Sequence, residues 1–229
     1  MKRLAIALTL LLAPLSADED LHNYRILSVV GQGKTKVMAT ISDVELGVEV
    51  QGKTAQEVQR ALAQQIRPVI DMLKKEKVEK LQTGSINITP QWSTGSPAVV
   101  VGYTGFNSIS FSAPVDKAGA LIDASIKAGA NRLQNLVQRP DDEILRNAHD
   151  TAITDAIQDA QAQANAALAA LGLKQRLIAR VTVAPFNGSG PYYHYAYREM
   201  SMNAAAAKTE VMPQEQNITS TVTLEIEYN

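Results

Sequence analysis

The chain contains no cysteine. That absence excludes a disulfide frame, a thiol nucleophile and a lipid-modified N-terminal cysteine, so stability has to come from a packed core. Aromatic residues are few, at 5 %. No run of like charge and no basic face stands out, which argues against a nucleic acid partner. Histidine occurs only as His22, His149 and His194, none spaced with a second histidine or a carboxylate as a metal-binding helix requires. A Gly-x-Ser-x-Gly elbow is also missing. No catalytic residue, metal site or cofactor is expected, and the chain reads as non-enzymatic.

Long hydrophobic runs are absent, with one short exception at the start. Lys2 and Arg3 precede the apolar Leu4–Leu15, Pro14 interrupts it, and Ser16 and Ala17 lead into Asp18-Glu19-Asp20. This pattern predicts a signal peptide over 1–17, cleaved near Ala17, and export. The run is too short to span a hydrocarbon layer of ~30 Å, so no transmembrane anchor is expected. Lys and Arg number 22 against 23 Asp and Glu; without Lys2 and Arg3 they number 20, a net charge of −3.

Residues 24–34 and 37–50 are rich in β-branched residues and partly alternating, which predicts two strands. Thr54-Ala55-Gln56-Glu57 then forms a capping box. Ala55, Val58, Leu62, Ile66, Val69 and Leu73 follow at helical spacing, with Pro68 expected to kink or break the helix. Strands are predicted over 81–92 and 98–112, joined by a turn at 93–97. A short helix over 115–128 should bury Val115, Ala118, Leu121, Ile122 and Ile126 and end at Gly129.

The stretch AGANRLQNLVQRPDDEILRNAH (128–149) gathers acids, amides, arginines and a histidine. The three acids have a local structural job available. Gly129 and Asn131 turn the chain, and Leu133, Leu136 and Val137 read as a strand. Asp141 is placed to cap a helix, with Asp142 and Glu143 at its positive end. The last helix carries Leu145, Ala148, Ala152, Ala156, Ala160, Ala164, Ala167 and Leu171 in a stripe and closes at Gly172. Such a stripe permits close approach of another element. His149 should be exposed or hydrogen-bonded. Strands at 174–184 and 217–228 complete an α+β pattern, with helices on one side of antiparallel sheet. Strand-helix-strand-strand occurs twice, giving halves at 24–112 and 131–229 joined by a connecting helix.

GQGKT (31–35) imitates part of a phosphate loop, but a strand and not a helix follows, and Ser28 stands where the pattern needs glycine. The least bland segment is 185–216, too long for a hairpin loop. It holds Tyr192, Tyr193, His194, Tyr195 and Tyr197, four of the chain's seven tyrosines. These residues are candidates for assembly or ligand binding.

Taken in order, VVGQGKTKVMATISDVELGVEVQGKTAQEV (29–58), LQTGSINITPQW (81–92), VGYTGFNSISFSAPVDKAGALIDASIKAGANRL (101–133) and DDEILRNAHDTAITDAIQDAQAQANAALAALGL (141–173) resemble the SIMPL-domain family. These are exported bacterial proteins, including the 26 kDa periplasmic immunogenic protein type, long labelled a domain of unknown function. The resemblance covers about 24–229. Ala39-Thr40-Ile41-Ser42 and Pro68 depart from the usual pattern. It implies an α+β fold, a periplasmic location, homo-oligomerisation and, for some members, a link to envelope or oxidative stress; it supplies no catalytic residues. The expected function is a non-enzymatic, homo-oligomeric scaffold or binding module in envelope maintenance or stress response, with possible peripheral envelope association. A periplasmic binder of small molecules or peptides through the tyrosine segment is the alternative, and an unrecognised hydrolase the third reading.

Overall fold

A computed structural model describes residues 25–186 and 208–229. The described residues form β1 (Ile26–Met38), β2 (Ile41–Gly52), α1 (Ala55–Lys75), β3 (Glu79–Trp92), β4 (Val100–Pro114), α2 (Val115–Ala128), β5 (Arg132–Arg139), α3 (Asp142–Ala170), β6 (Gln175–Val183) and β7 (Glu215–Tyr228). All strand pairs are antiparallel, in two sheets ordered β1-β7-β6 and β3-β4-β2-β5. Helix α3 lies on β1 and β7, and α1 and α2 on β2 and β4. The fold is α+β. The strand-helix-strand-strand order recurs as β2-α1-β3-β4 and β5-α3-β6-β7. Yet β5 pairs with β2 and β1 with β7, so each sheet contains a strand from the other half.

This interleaving moves the first strand boundary. The break falls at Ala39-Thr40 and not at residues 35–36, because β1 stays in its ladder with β7 as far as Met38↔Glu215. Consecutive strands that do not pair with each other need no hairpin turn between them.

Helix α1 begins with the capping box: Thr54 Oγ1 accepts from Glu57 N (3.2 Å), and Glu57 Oε2 accepts from Thr54 N (3.3 Å). Val58, Leu62, Ile66, Val69 and Leu73 are buried against Val44, Leu46, Val48, Ile109 and Phe111. Pro68 does not break the helix. It lies on the exposed face, where water can serve the carbonyl that lost its donor. Helix α2 buries Ser125 where Ile126 was expected, and Ile126 is 48 % exposed. Ser125 continues the row of Val115, Ala118 and Ile122, and its hydroxyl is satisfied by donating to Leu121 O at 2.7 Å.

Helix α3 buries Ala148, Ala152, Ala156, Ala160, Ala164 and Leu168; Leu171, expected on this face, is 72 % exposed. A strict four-residue spacing drifts ~40° per step around a helix of 3.6 residues per turn. The row therefore winds past Leu171, and only a twisted sheet can follow it that far. Contact is close because β1 presents glycines. A Cβ on Gly31 would overlap Ala156 O and stand 2.5 Å from Ala160 N. One on Gly33 would overlap Ala152 O and stand 2.6 Å from Ala156 N. The glycines of GQGKT thus face a helix, and the alanine stripe is the matching surface.

Candidate functional site

The 128–149 stretch is held by local caps and by bonds to β2. Gly129 adopts φ 121°, and Gly129 N and Ala130 N donate to Ile126 O (3.1 Å) and Ser125 O (2.9 Å), closing α2 in a Schellman pattern. Asn131 then clamps β2: its Oδ1 accepts from Glu49 N and its Nδ2 donates to Glu49 O, both at 2.8 Å. Arg132 pairs with Glu49, and its guanidinium lies 5.7 Å from the centre of the Phe106 ring. Asp141 Oδ1 accepts from Glu143 N and Ile144 N at 2.9 Å each, capping α3. Arg139 bonds Asp43 (2.8 Å) and Asp142 (3.2 Å), and Ser112 Oγ donates to Asp43 at 2.5 Å.

Thr40, in the crossover between the sheets, ties this junction together. Its N donates to Arg139 O (3.0 Å), its carbonyl accepts from Val115 N (3.0 Å), and Oγ1 accepts from Asp141 N (2.9 Å). Arg132, Arg139, Asp141 and Asp142 are thus engaged in holding elements to one another. Asp141→Ala is expected to cost about 1 kcal/mol through loss of the cap. Gly129→Val should cost more, because a β-branched residue resists positive φ. Chemical denaturation of each variant measures both.

The tyrosine-segment candidates Tyr192, Tyr193, His194, Tyr195 and Tyr197 lie outside the described residues. Their flanks are described. Phe186 meets His149 ring to ring, with centroids 4.1 Å apart. His149 is half-buried, and its Nε2 is buried with no hydrogen-bond partner among the described residues. The expectation of an exposed or hydrogen-bonded histidine fails because the aromatic contact covers the ring. On the return side, Thr209 N and Oγ1 donate to Asp123 (3.2 and 2.6 Å). Gln138 donates to Met212 O (2.8 Å) and accepts from Gln214 N (3.0 Å). Residues 209–214 therefore lie against Gln138 near the end of β5 and on the flank of α2, where Gly119 leaves room for Thr209 O.

Two surfaces were missed by sequence reasoning. The first is β6, one of the two edge strands of its sheet. Ile178, Val181 and Val183 pair with Ile226, Leu224 and Val222 and extend the α3-facing row beyond the helix, at 40 %, 51 % and 41 % exposure. Arg176 and Arg180 are drawn to Glu227 (3.5 Å) and Glu225 (3.6 Å) on β7. The run QRLIARVTV does not alternate, so periodicity alone cannot mark an exposed edge. The second is a groove of about 450 Å³ between α1 and β3, whose lining includes Asn107. A lone amide in the inward row Tyr103, Gly105, Asn107, Ile109, Phe111 is the signal that could have marked it.

Among the described residues, no helix is long and apolar enough to cross a membrane, and no three His, Asp or Glu side chains cluster as metal ligands do. The family model SIMPL, described as a protein of unknown function (DUF541), matches residues 27–226. The 26 kDa periplasmic immunogenic protein of Brucella melitensis biotype 1 is 29 % identical over 157 residues, and its counterpart from Brucella abortus is 28 % identical over 157. Each alignment covers 64 % of this chain and 63 % of the relative's own length.

Proposed function

From the premise that the chain belongs to the SIMPL family (DUF541), we propose that it is a non-enzymatic periplasmic protein that assembles with copies of itself as an envelope scaffold. Both Brucella relatives are named as periplasmic proteins. The observation that carries the assembly reading is β6.

Exposed sheet edges invite pairing and are normally protected. In this fold, β1 carries Lys34 and Lys36, β3 is interrupted by register shifts and Pro90, and β5 is short and held at Gln138 by Met212 and Gln214. The second half of β6, Arg180–Val183, has a regular register, and its arginine is drawn toward its own sheet. No strand among the described residues pairs with its outer side. Apolar, β-branched and open, it fits the same strand of a second copy, and closed symmetry would repeat the contact.

Light scattering on the wild type and on Val181→Lys/Val183→Lys tests this reading. The wild type should be an oligomer and the double variant mainly a monomer with unchanged circular dichroism. A monomeric wild type, or an oligomer indifferent to the lysines, refutes it.

A further inference from the structure

Helix α1 packs mainly on β2 and β4 and touches the edge strand β3 less closely. At Gly105 of β4 the helix comes close: a Cβ there would overlap Val58 and stand 2.8 Å from Leu62 Cδ1. Gly105 pairs with Ile88, and Asn107 pairs with Ile86. In antiparallel sheet, directly paired residues share a face, so all four look toward α1. Beyond Gly105 the two surfaces separate into the 450 Å³ groove, within the size range of small-molecule sites.

Its apolar lining includes Leu62, Ile66, Ile70, Ile86 and Ile88. Ile86 is 64 % exposed, a large aliphatic left facing an unfilled space. Asn107 is only 6 % exposed, and its Oδ1 is buried without a hydrogen-bond partner among the described residues. Leaving such an acceptor unmet is costly, and a bound donor would remove that cost. Arg67 and Lys74 stand on the α1 rim with Asp71 between them, and none of the three forms an ion pair among the described residues. Two cations against one carboxylate favour a singly charged anion.

We propose that this groove binds a small anionic amphiphile. Its apolar body lies on the isoleucines, a hydroxyl or N–H donates to Asn107 Oδ1, and an acidic head meets Arg67 and Lys74. The site is independent of the β6 edge and stands or falls separately from assembly.

Calorimetric titration of the protein purified from the cell envelope tests the site with three probes below their micellar concentrations: 3-hydroxydecanoate, decanoate and decyltrimethylammonium. The hydroxy acid should bind saturably at one site per chain, about tenfold more tightly than decanoate, a difference equal to 1.4 kcal/mol. The cation should not bind. Ala63→Trp, introduced at an exposed position on the groove wall, should abolish binding. Asn107→Leu should retain decanoate and erase the preference for the hydroxy acid, which a merely structural role for Asn107 does not predict. Absence of saturable binding overturns the proposal, as do equal affinity for the cation and unchanged binding in folded Ala63→Trp. Binding to phosphatidylglycerol vesicles but not to the monomeric acids would assign the groove to a membrane surface and also overturn it.

Discussion

Gly31→Val is expected to destabilise the protein by about 3 kcal/mol, toward the upper end for overpacking, and to lower the melting temperature by roughly 6–12 °C for a chain of this size. The reason is what the new side chain meets. Its Cβ would overlap the carbonyl oxygen of Ala156 and crowd the amide nitrogen of Ala160. These are backbone atoms of a regular helix, which cannot rotate away as a flexible side chain can. Relief requires α3 to lift from β1, and α3 is the helix that covers Val222, Leu224 and Ile226. For the same reason Ala160→Gly should rescue little, because it removes a methyl group and leaves the carbonyl and amide in place. Thermal unfolding followed by circular dichroism decides this, and an unchanged melting temperature in Gly31→Val would mean that α3 does not seat on β1.

The second large effect belongs to the other sheet. Phe111→Ala should cost about 3–5 kcal/mol, the range for truncating a buried aromatic residue. Phe111 is 2 % exposed and packs in the core that α1 and α2 form with β2 and β4. It pairs with Val44, so the void would open between two central strands under a helix, where the surroundings cannot collapse freely. Denaturant titration gives the value. A loss below about 1 kcal/mol, less than even the mildest buried large-to-alanine truncations, would place Phe111 outside the core.

Much of this architecture is legible in the residues because local chemistry dictates it. The Thr54–Glu57 box fixes the start of α1, Asp141 the start of α3, and Gly129 and Gly172 the ends of α2 and α3, each through bonds within a few residues. Partnership between distant segments is written less plainly. Alternation gives a strand two faces but does not say that β1 pairs with β7, and that pairing moved the β1 boundary to Met38. The alanine stripe and the glycines of GQGKT were each visible alone; that they are two sides of one contact emerges only when β1 and α3 are set together. Ser125 was passed over in favour of Ile126 because hydropathy ranks a hydroxyl below an aliphatic, whereas a bond to Leu121 O makes serine a good fit for a tight interior.

The surfaces on which the two proposals rest were the least legible. The tyrosines between Tyr192 and Tyr197 stand out by composition, and they fall outside the described residues. The β6 edge carries ordinary residues, and its character comes from having no partner strand on its outer side among the described residues. Asn107 differs from its row by one amide, and its meaning depends on α1 packing less closely on β3 than on β2 and β4. Both features are products of tertiary placement, which no local pattern encodes.

Amide hydrogen exchange along β6, read across a dilution series, tests the assembly reading most directly. Pairing with a second copy predicts slow exchange for the alternate outward amides of Arg180–Val183 at high protein concentration, with protection lost on dilution while β7 stays protected. Fast exchange of those outward amides at every concentration would contradict it.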